Sequence, residues 1–168
     1  MGGMMITYAF RSELKSIMPY PDMQDICISS AKYNRRAGVT GFMVECGGVF
    51  LQILEGPDDA VISIFRRISI DTRHHHVDLL LSNDGLRQRQ FGAWAMNLMF
   101  MDDPILWSQV IGSLSPYDDF LQRSQDPIFS LGLLSHAYKY ACAAAGVDPT
   151  STEARHGRIP QAHHMLGR

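Results

Sequence analysis

Three side chains combine a polar function with a position whose neighbours are apolar: Tyr8, Asn34 and Gln52. Gln52 lies in the run Val49-Phe-Leu-Gln-Ile-Leu54, where one face presents Val49, Leu51 and Ile53 and the other Phe50, Gln52 and Leu54. Apolar residues on both faces are the pattern of a central strand. A primary amide there has two donors and two acceptor sites, and leaving them unpaired costs about 1–3 kcal/mol. Tyr8 alternates with Ile6 and Phe10, so its ring faces a core. Asn34 falls on the helical stripe of Met23, Ile26, Cys27 and Ser30, at the inward edge of a helix end. Singly, each residue is an ordinary core or loop-anchoring group. Together they could hydrogen-bond a polar ring lying between a helix and a sheet.

A second group, Arg66, Arg67, Asp71, Arg73 and His74, clusters at a helix exit, where charges most often form a solvated face. His74-His75-His76 invites a metal reading. Adjacent side chains of a tripeptide do not readily converge on one ion, however, and no carboxylate or cysteine stands at ligand spacing, so a polar connection without metal is expected. Cys27, Cys46 and Cys142 are odd in number and far apart, which fits reduced thiols.

These residues need a frame. Met4 to Phe10 is expected as a first strand, and Pro19-Tyr20-Pro21 breaks the chain before a helix capped by Asp22 and stopped at Gly38. The stretch Gly38 to Gly56 reads as a hairpin turning at Cys46-Gly47-Gly48. Gly56-Pro57-Asp58-Asp59 starts a second helix with Val61, Ile64, Phe65 and Ile68 as its stripe. Val77 to Ser82 is expected as a fourth strand and Phe91 to Phe100 as a fifth, with Trp94, Met96 and Leu98 on one face. The order predicts an α+β fold, a ferredoxin-like βαββαββ sheet with both helices on one face. Asp103-Pro104, Ser115-Pro116 and Asp126-Pro127 each start a helix, and these helices are expected to cover the other face. The predicted divisions are a domain over 1–101, a helical extension over 102–146 and a mobile tail over 147–168.

The bulk properties exclude several classes. A length of 168 residues, 46% hydrophobic and 19% charged, fits one globular domain with an extension. A net charge of -2 gives no general attraction to nucleic acid. No apolar stretch is long enough for a bilayer, and Met1-Gly2-Gly3-Met4 does not open a signal peptide, so a cytoplasmic location is expected.

In order and at consistent spacing, the chain from Met4 to Phe100 resembles the BLUF domain, the flavin-using blue-light sensor. The resemblance rests on Tyr8, Asn34, Gly38-Val-Thr-Gly41, Phe50-Leu-Gln52-Ile-Leu-Glu-Gly56, Arg67-Ile68 with Asp71 and Arg73-His74, and Phe91 with Trp94-Ala-Met96. It implies non-covalent FAD between the two helices. Asn34 would then bond the polar edge of the isoalloxazine, and Gln52 would lie between Tyr8 and the flavin. Arg67, Asp71, Arg73 and His74 would line the ring or the phosphoribityl side. Tyr33 stands where many members carry an asparagine.

By analogy, blue light drives electron transfer from Tyr8, and the Gln52 amide is left rotated or tautomerised. Trp94 or Met96 would relay the change. No cyclase or phosphodiesterase segment is recognisable, so the resemblance implies a short sensor without catalysis of its own. It would signal to a downstream protein or through homo-oligomer assembly. Two rival readings are a small acylphosphatase-type enzyme built on Arg11 and an oligomerisation module that binds no flavin.

Overall fold

The computed structural model describes residues 3–111 and 117–157. Its elements are β1 (Met5–Leu14), α1 (Tyr20–Ala37), β2 (Thr40–Cys46), β3 (Val49–Pro57), α2 (Asp58–Ser69) and β4 (His74–Asp84). There follow β5 (Trp94–Met96), β6 (Leu98–Phe100), α3 (Pro104–Ile111), α4 (Tyr117–Arg123), α5 (Pro127–Ala145) and β7 (Arg155–His156). The main sheet runs β4-β1-β3-β2-β6, with only the β2–β6 pair parallel. The fold is the ferredoxin-like α+β arrangement.

The alternation along β3 divides the core in two. Phe50 and Leu54 join Met23, Cys27 and Ala31 of α1 and Val61 and Ile64 of α2. Val49, Leu51 and Ile53 join Leu106 and Trp107 of α3, Phe120 of α4 and Leu133, Ala137 and Tyr138 of α5. Thus α1 and α2 cover one face of the sheet and α3 to α5 the other. The three cysteines are free and buried, and burial pushes the Cys27 thiol up to about 12.

Several boundaries differ from expectation. The helix α1 starts at Tyr20 behind Pro19, and Asp22 sits in its first turn rather than capping it. Its end is as read: Gly38 takes φ +70°, and the N–H of Val39 reaches back to the Asn34 carbonyl at 2.9 Å. Asp103 accepts from the N–H of Ile105 at 2.8 Å and Asp126 from that of Ile128 at 3.0 Å, as N-terminal caps do. Ser115-Pro116 lies outside the described residues. The histidine tripeptide opens the edge strand β4 instead of preceding it.

The expected fifth strand is two pieces. Asn97 interrupts it, its side-chain oxygen accepting from the N–H of Leu98 at 3.0 Å while its carbonyl accepts from Met43 at 2.9 Å. A separate irregularity falls between Trp94 and Met96, where the β5–β7 register shifts, so Trp94 does not share a face with Met96 and Leu98. It packs with Phe42 and Tyr138 under α5, whereas Met96 and Leu98 belong to the α1–α2 side. The segment expected to be a mobile tail also departs from expectation through residue 156. Tyr138 donates its hydroxyl to the Pro149 carbonyl at 2.9 Å, and β7 pairs in parallel with β5. The rest of that segment, 158–168, lies outside the described residues.

Candidate functional site

Between α1, α2 and the sheet lies a cleft of about 660 Å³, within the usual range for small-molecule sites. The sheet contributes Met43, Phe50 and Gln52 as its floor. Asp22, Asp25, Ser30 and Asn34 line it from α1, and Ile64, Arg67 and Ile68 from α2. Asp71, Arg73 and His74 close it where the chain passes from α2 into β4.

Gln52 sits in register between Phe10 of β1 and Met43 of β2 and is 8% exposed. Its amide makes no hydrogen bond among the described residues. Asn34 is 2% exposed. Its amide nitrogen donates to the Ala95 carbonyl at 2.9 Å, and its oxygen has no donor among the described residues. The buried Nδ1 of His74 also has no hydrogen-bond partner among the described residues. A cleft whose floor and walls hold an unpaired amide, an unpaired amide oxygen and an unpaired imidazole nitrogen is built for a polar guest, because such groups are costly when left unmatched.

The mouth is charged. Arg73 grips Asp71 through Nε at 3.0 Å and Nη2 at 2.5 Å, and that contact holds the Asp71 carboxyl down to about 2. Burial lowers the His74 pKa; Asp71 opposes that shift and Arg73 reinforces it. Arg67 lies over the ring of Tyr33, 4.5 Å from its centroid, a cation–π contact. The Tyr33 side chain is therefore a platform for a guanidinium.

Six of the nine residues singled out in the sequence thus meet in one cleft: Asn34, Gln52, Arg67, Asp71, Arg73 and His74. Tyr8, Trp94 and Met96 are not on its wall. Tyr8 is opposite Leu54, one diagonal step from Gln52 on the same face, a separation of roughly 7–8 Å that a tyrosine can span. Its ring packs edge-on against Phe65 at 5.5 Å. Met96 is fully buried over Gly41, where an added Cβ would lie 2.9 Å from the Met96 methyl and 2.6 Å from the Ile53 carbonyl oxygen. Arg11 faces away from the cleft, bonded to Ser124, Leu121 and Glu13, so it offers no phosphate site there.

Sequence reasoning missed Met43 and Ile64 as lining residues, and it missed a clamp behind the site. Glu55 is 1% exposed. Its carboxylate accepts from the N–H groups of Gln90 and Phe91, each at 2.9 Å. Arg89 donates to Thr40 Oγ1 at 2.9 Å and to the carbonyls of Glu55 and Gly38 at 2.8 and 2.6 Å. The signal was an acid ending the apolar run of β3, a position that demands backbone partners. The clamp ties the connection before β5 to the strand bearing Gln52.

Comparison with known proteins agrees with this geometry. The family described as sensors of blue-light using FAD (BLUF) matches residues 5–97, more than half of the chain. The blue light- and temperature-regulated antirepressor BluF of Escherichia coli K12 is 33% identical over 95 residues, which are 56% of this chain and 23% of that protein. The photoactivated adenylate cyclase subunit beta of Euglena gracilis is 32% identical over 107 residues, 59% of this chain and 12% of the relative. The chain thus spans less than a quarter of the length of these two relatives. Among solved structures, the dark state of BlrB, a BLUF protein, superposes with a TM-score of 0.64 at 25% identity, covering 82% of this chain and 98% of that one. A bacterial light-regulated adenylyl cyclase gives a TM-score of 0.64 at 28% identity, covering 73% and 35%. The chain belongs to the BLUF family, the blue-light sensors that use FAD.

Proposed function

We propose that this chain holds FAD non-covalently in the α1–α2 cleft and that Gln52 is the side chain whose hydrogen bonding changes when blue light is absorbed. FAD, when bound, supplies the chromophore. The observation that carries the reading is the unpaired amide of Gln52 on the cleft floor, in a strand buried on both faces. Asn34 would meet a polar ring edge through its free oxygen, and Arg67 and Arg73 would face the phosphate-bearing side, with Asp71 orienting Arg73 and His74 closing the wall. Tyr8, one diagonal step away, is the phenol that would hydrogen-bond the Gln52 amide once FAD is bound and serve as the redox-active group. Met96 and Trp94, on opposite faces of the sheet, are proposed to relay a shift of β5.

The bond from Asn34 to the Ala95 carbonyl supports an output through β5, and so does the contact of Trp94 with Tyr138, 5.7 Å between ring centroids. A shift of β5 would reach α5 in the extension over 102–146, from the sensor unit over 1–101. The receiver is a downstream protein or a second copy of this chain. Relatives named as an antirepressor and as light-regulated cyclases support signalling to another protein or domain. We assign no catalytic activity to the chain itself and place it in the cytoplasm; among the described residues no helix is long and apolar enough to cross a membrane.

The test is spectroscopic. Gln52→Leu should bind FAD and lose the light-induced red shift, and Tyr8→Phe should block the productive cycle. A normal red shift in Gln52→Leu would overturn the assignment of the switch. Size-exclusion profiles in dark and light then separate the two outputs, since identical profiles exclude assembly as the response.

A further inference from the structure

At the start of β4, two neighbouring histidines lie side by side, although a regular strand would send them to opposite faces. His76 adopts φ +48°, a left-handed conformation that costs a non-glycine residue about 1–2 kcal/mol. Its imidazole then stands 4.6 Å from that of His75, centroid to centroid. The β1–β4 ladder shifts register between Arg11 and Glu13, and Glu13 comes opposite His75. Glu13 Oε2 lies 3.3 Å from His75 Nε2. One ligand atom from each of Glu13, His75 and His76 falls within 4.8 Å of the other two. Two of the three histidines thus converge, and β1 supplies a carboxylate beside them.

Two imidazoles and a carboxylate are a donor set for borderline divalent ions. With bonds of about 2.0–2.2 Å at tetrahedral angles, neighbouring ligand atoms stand about 3.3–3.5 Å apart, which is the separation of Glu13 and His75. The carboxylate is also held from behind. Glu13 Oε1 accepts from Arg11 Nη1 at 2.7 Å, and Arg11 is 2% exposed and anchored on Ser124 Oγ at 2.9 Å. Such outer partners orient a metal-binding carboxylate. A plain ion pair would account for the Glu13–His75 contact, but it leaves the conformation of His76 without a cause.

We propose that Glu13, His75 and His76 form a three-ligand site for a divalent transition ion of the Zn²⁺ class, with the fourth position open to water. A bound ion would cross-link β1 to the edge strand one residue from His74, which lines the cleft. The inference does not depend on the reading of the cleft, because its probe is the metal alone.

The experiment uses the full chain loaded with FAD, stripped with a chelator and titrated with Zn²⁺ against a chromophoric indicator. One ion should bind, and the double variant His75→Ala/His76→Ala and the single variant Glu13→Gln should each weaken it by at least about 10–100-fold. His156→Ala, in β7, should leave the affinity unchanged. Far-ultraviolet circular dichroism of each variant checks that it has folded. Co²⁺ in place of Zn²⁺ should give intense tetrahedral visible bands in the parent chain that the double variant lacks. Equal Zn²⁺ affinity in the parent and the double variant, or no binding to the parent, would overturn the proposal.

Discussion

The two faces of the sheet differ in where they leave buried polar groups unmatched. Under α3 to α5, Arg11 is bonded to Ser124, Leu121 and Glu13. There too the Tyr138 hydroxyl accepts from the Ala93 N–H at 3.1 Å and donates to Pro149. Under α1 and α2, Gln52, one side of Asn34 and Nδ1 of His74 are left without partners among the described residues. One strand, β3, feeds both. The α3–α5 face also leaves Trp107 Nε1 without a partner among the described residues, but only the other face gathers several unmatched groups around one cleft, and that gathering marks a binding site. Stability should reside mainly on the first face and ligand affinity on the second.

The strongest way to break that contrast is Phe42→Ala. Phe42 is wholly buried beside Trp94 and Tyr138. Its truncation should cost about 3–5 kcal/mol in urea unfolding, with FAD still bound at low denaturant. A loss of FAD affinity without a loss of stability would reverse the roles of the two faces. Asn34→Ala should do the opposite on a smaller scale. Removing its free oxygen should weaken FAD by a factor of roughly ten, about 1.4 kcal/mol, read by titration of flavin fluorescence.

The smallest effect concerns pH and sharpens the role of the clamp. Burial raises the Glu55 carboxyl above its ordinary 4.5, against the lowering pull of the Phe91 and Gln90 N–H groups and of Arg89. The stability that a raised carboxyl contributes is complete below the unfolded value and is lost as pH rises through the folded one. The unfolding free energy should therefore decline as pH increases from 4.5, and Glu55→Gln should flatten that decline. An unchanged slope in the variant would remove Glu55 as its source.

Much of the cleft was legible before any coordinates. The Gln52 strand was readable because apolar residues alternate with period two on both of its faces, and Asn34 because helical spacing returns it to the stripe of Met23 and Cys27. What failed had a common form. Strict alternation puts Trp94 on the face of Met96, but the register shifts between the two residues and sends Trp94 to the other face. The histidine tripeptide reads as a polar connection whose adjacent side chains do not converge, and a positive φ at His76 brings its ring beside that of His75.

Sequence alone determined which residues face inward, where α1 ends, where α2 and α5 begin, and the family through its ordered motifs, because these depend on periods of two or about four residues and on local caps. Tertiary structure decided which inward residues meet. Tyr8 lies diagonal to Gln52 and off the cleft wall, Glu55 clamps the connection before β5, and Glu13 reaches two histidines some sixty positions away. Those meetings depend on strand register, a ladder shift and one left-handed residue. They are properties of pairs of strands, and no single stretch of chain encodes them.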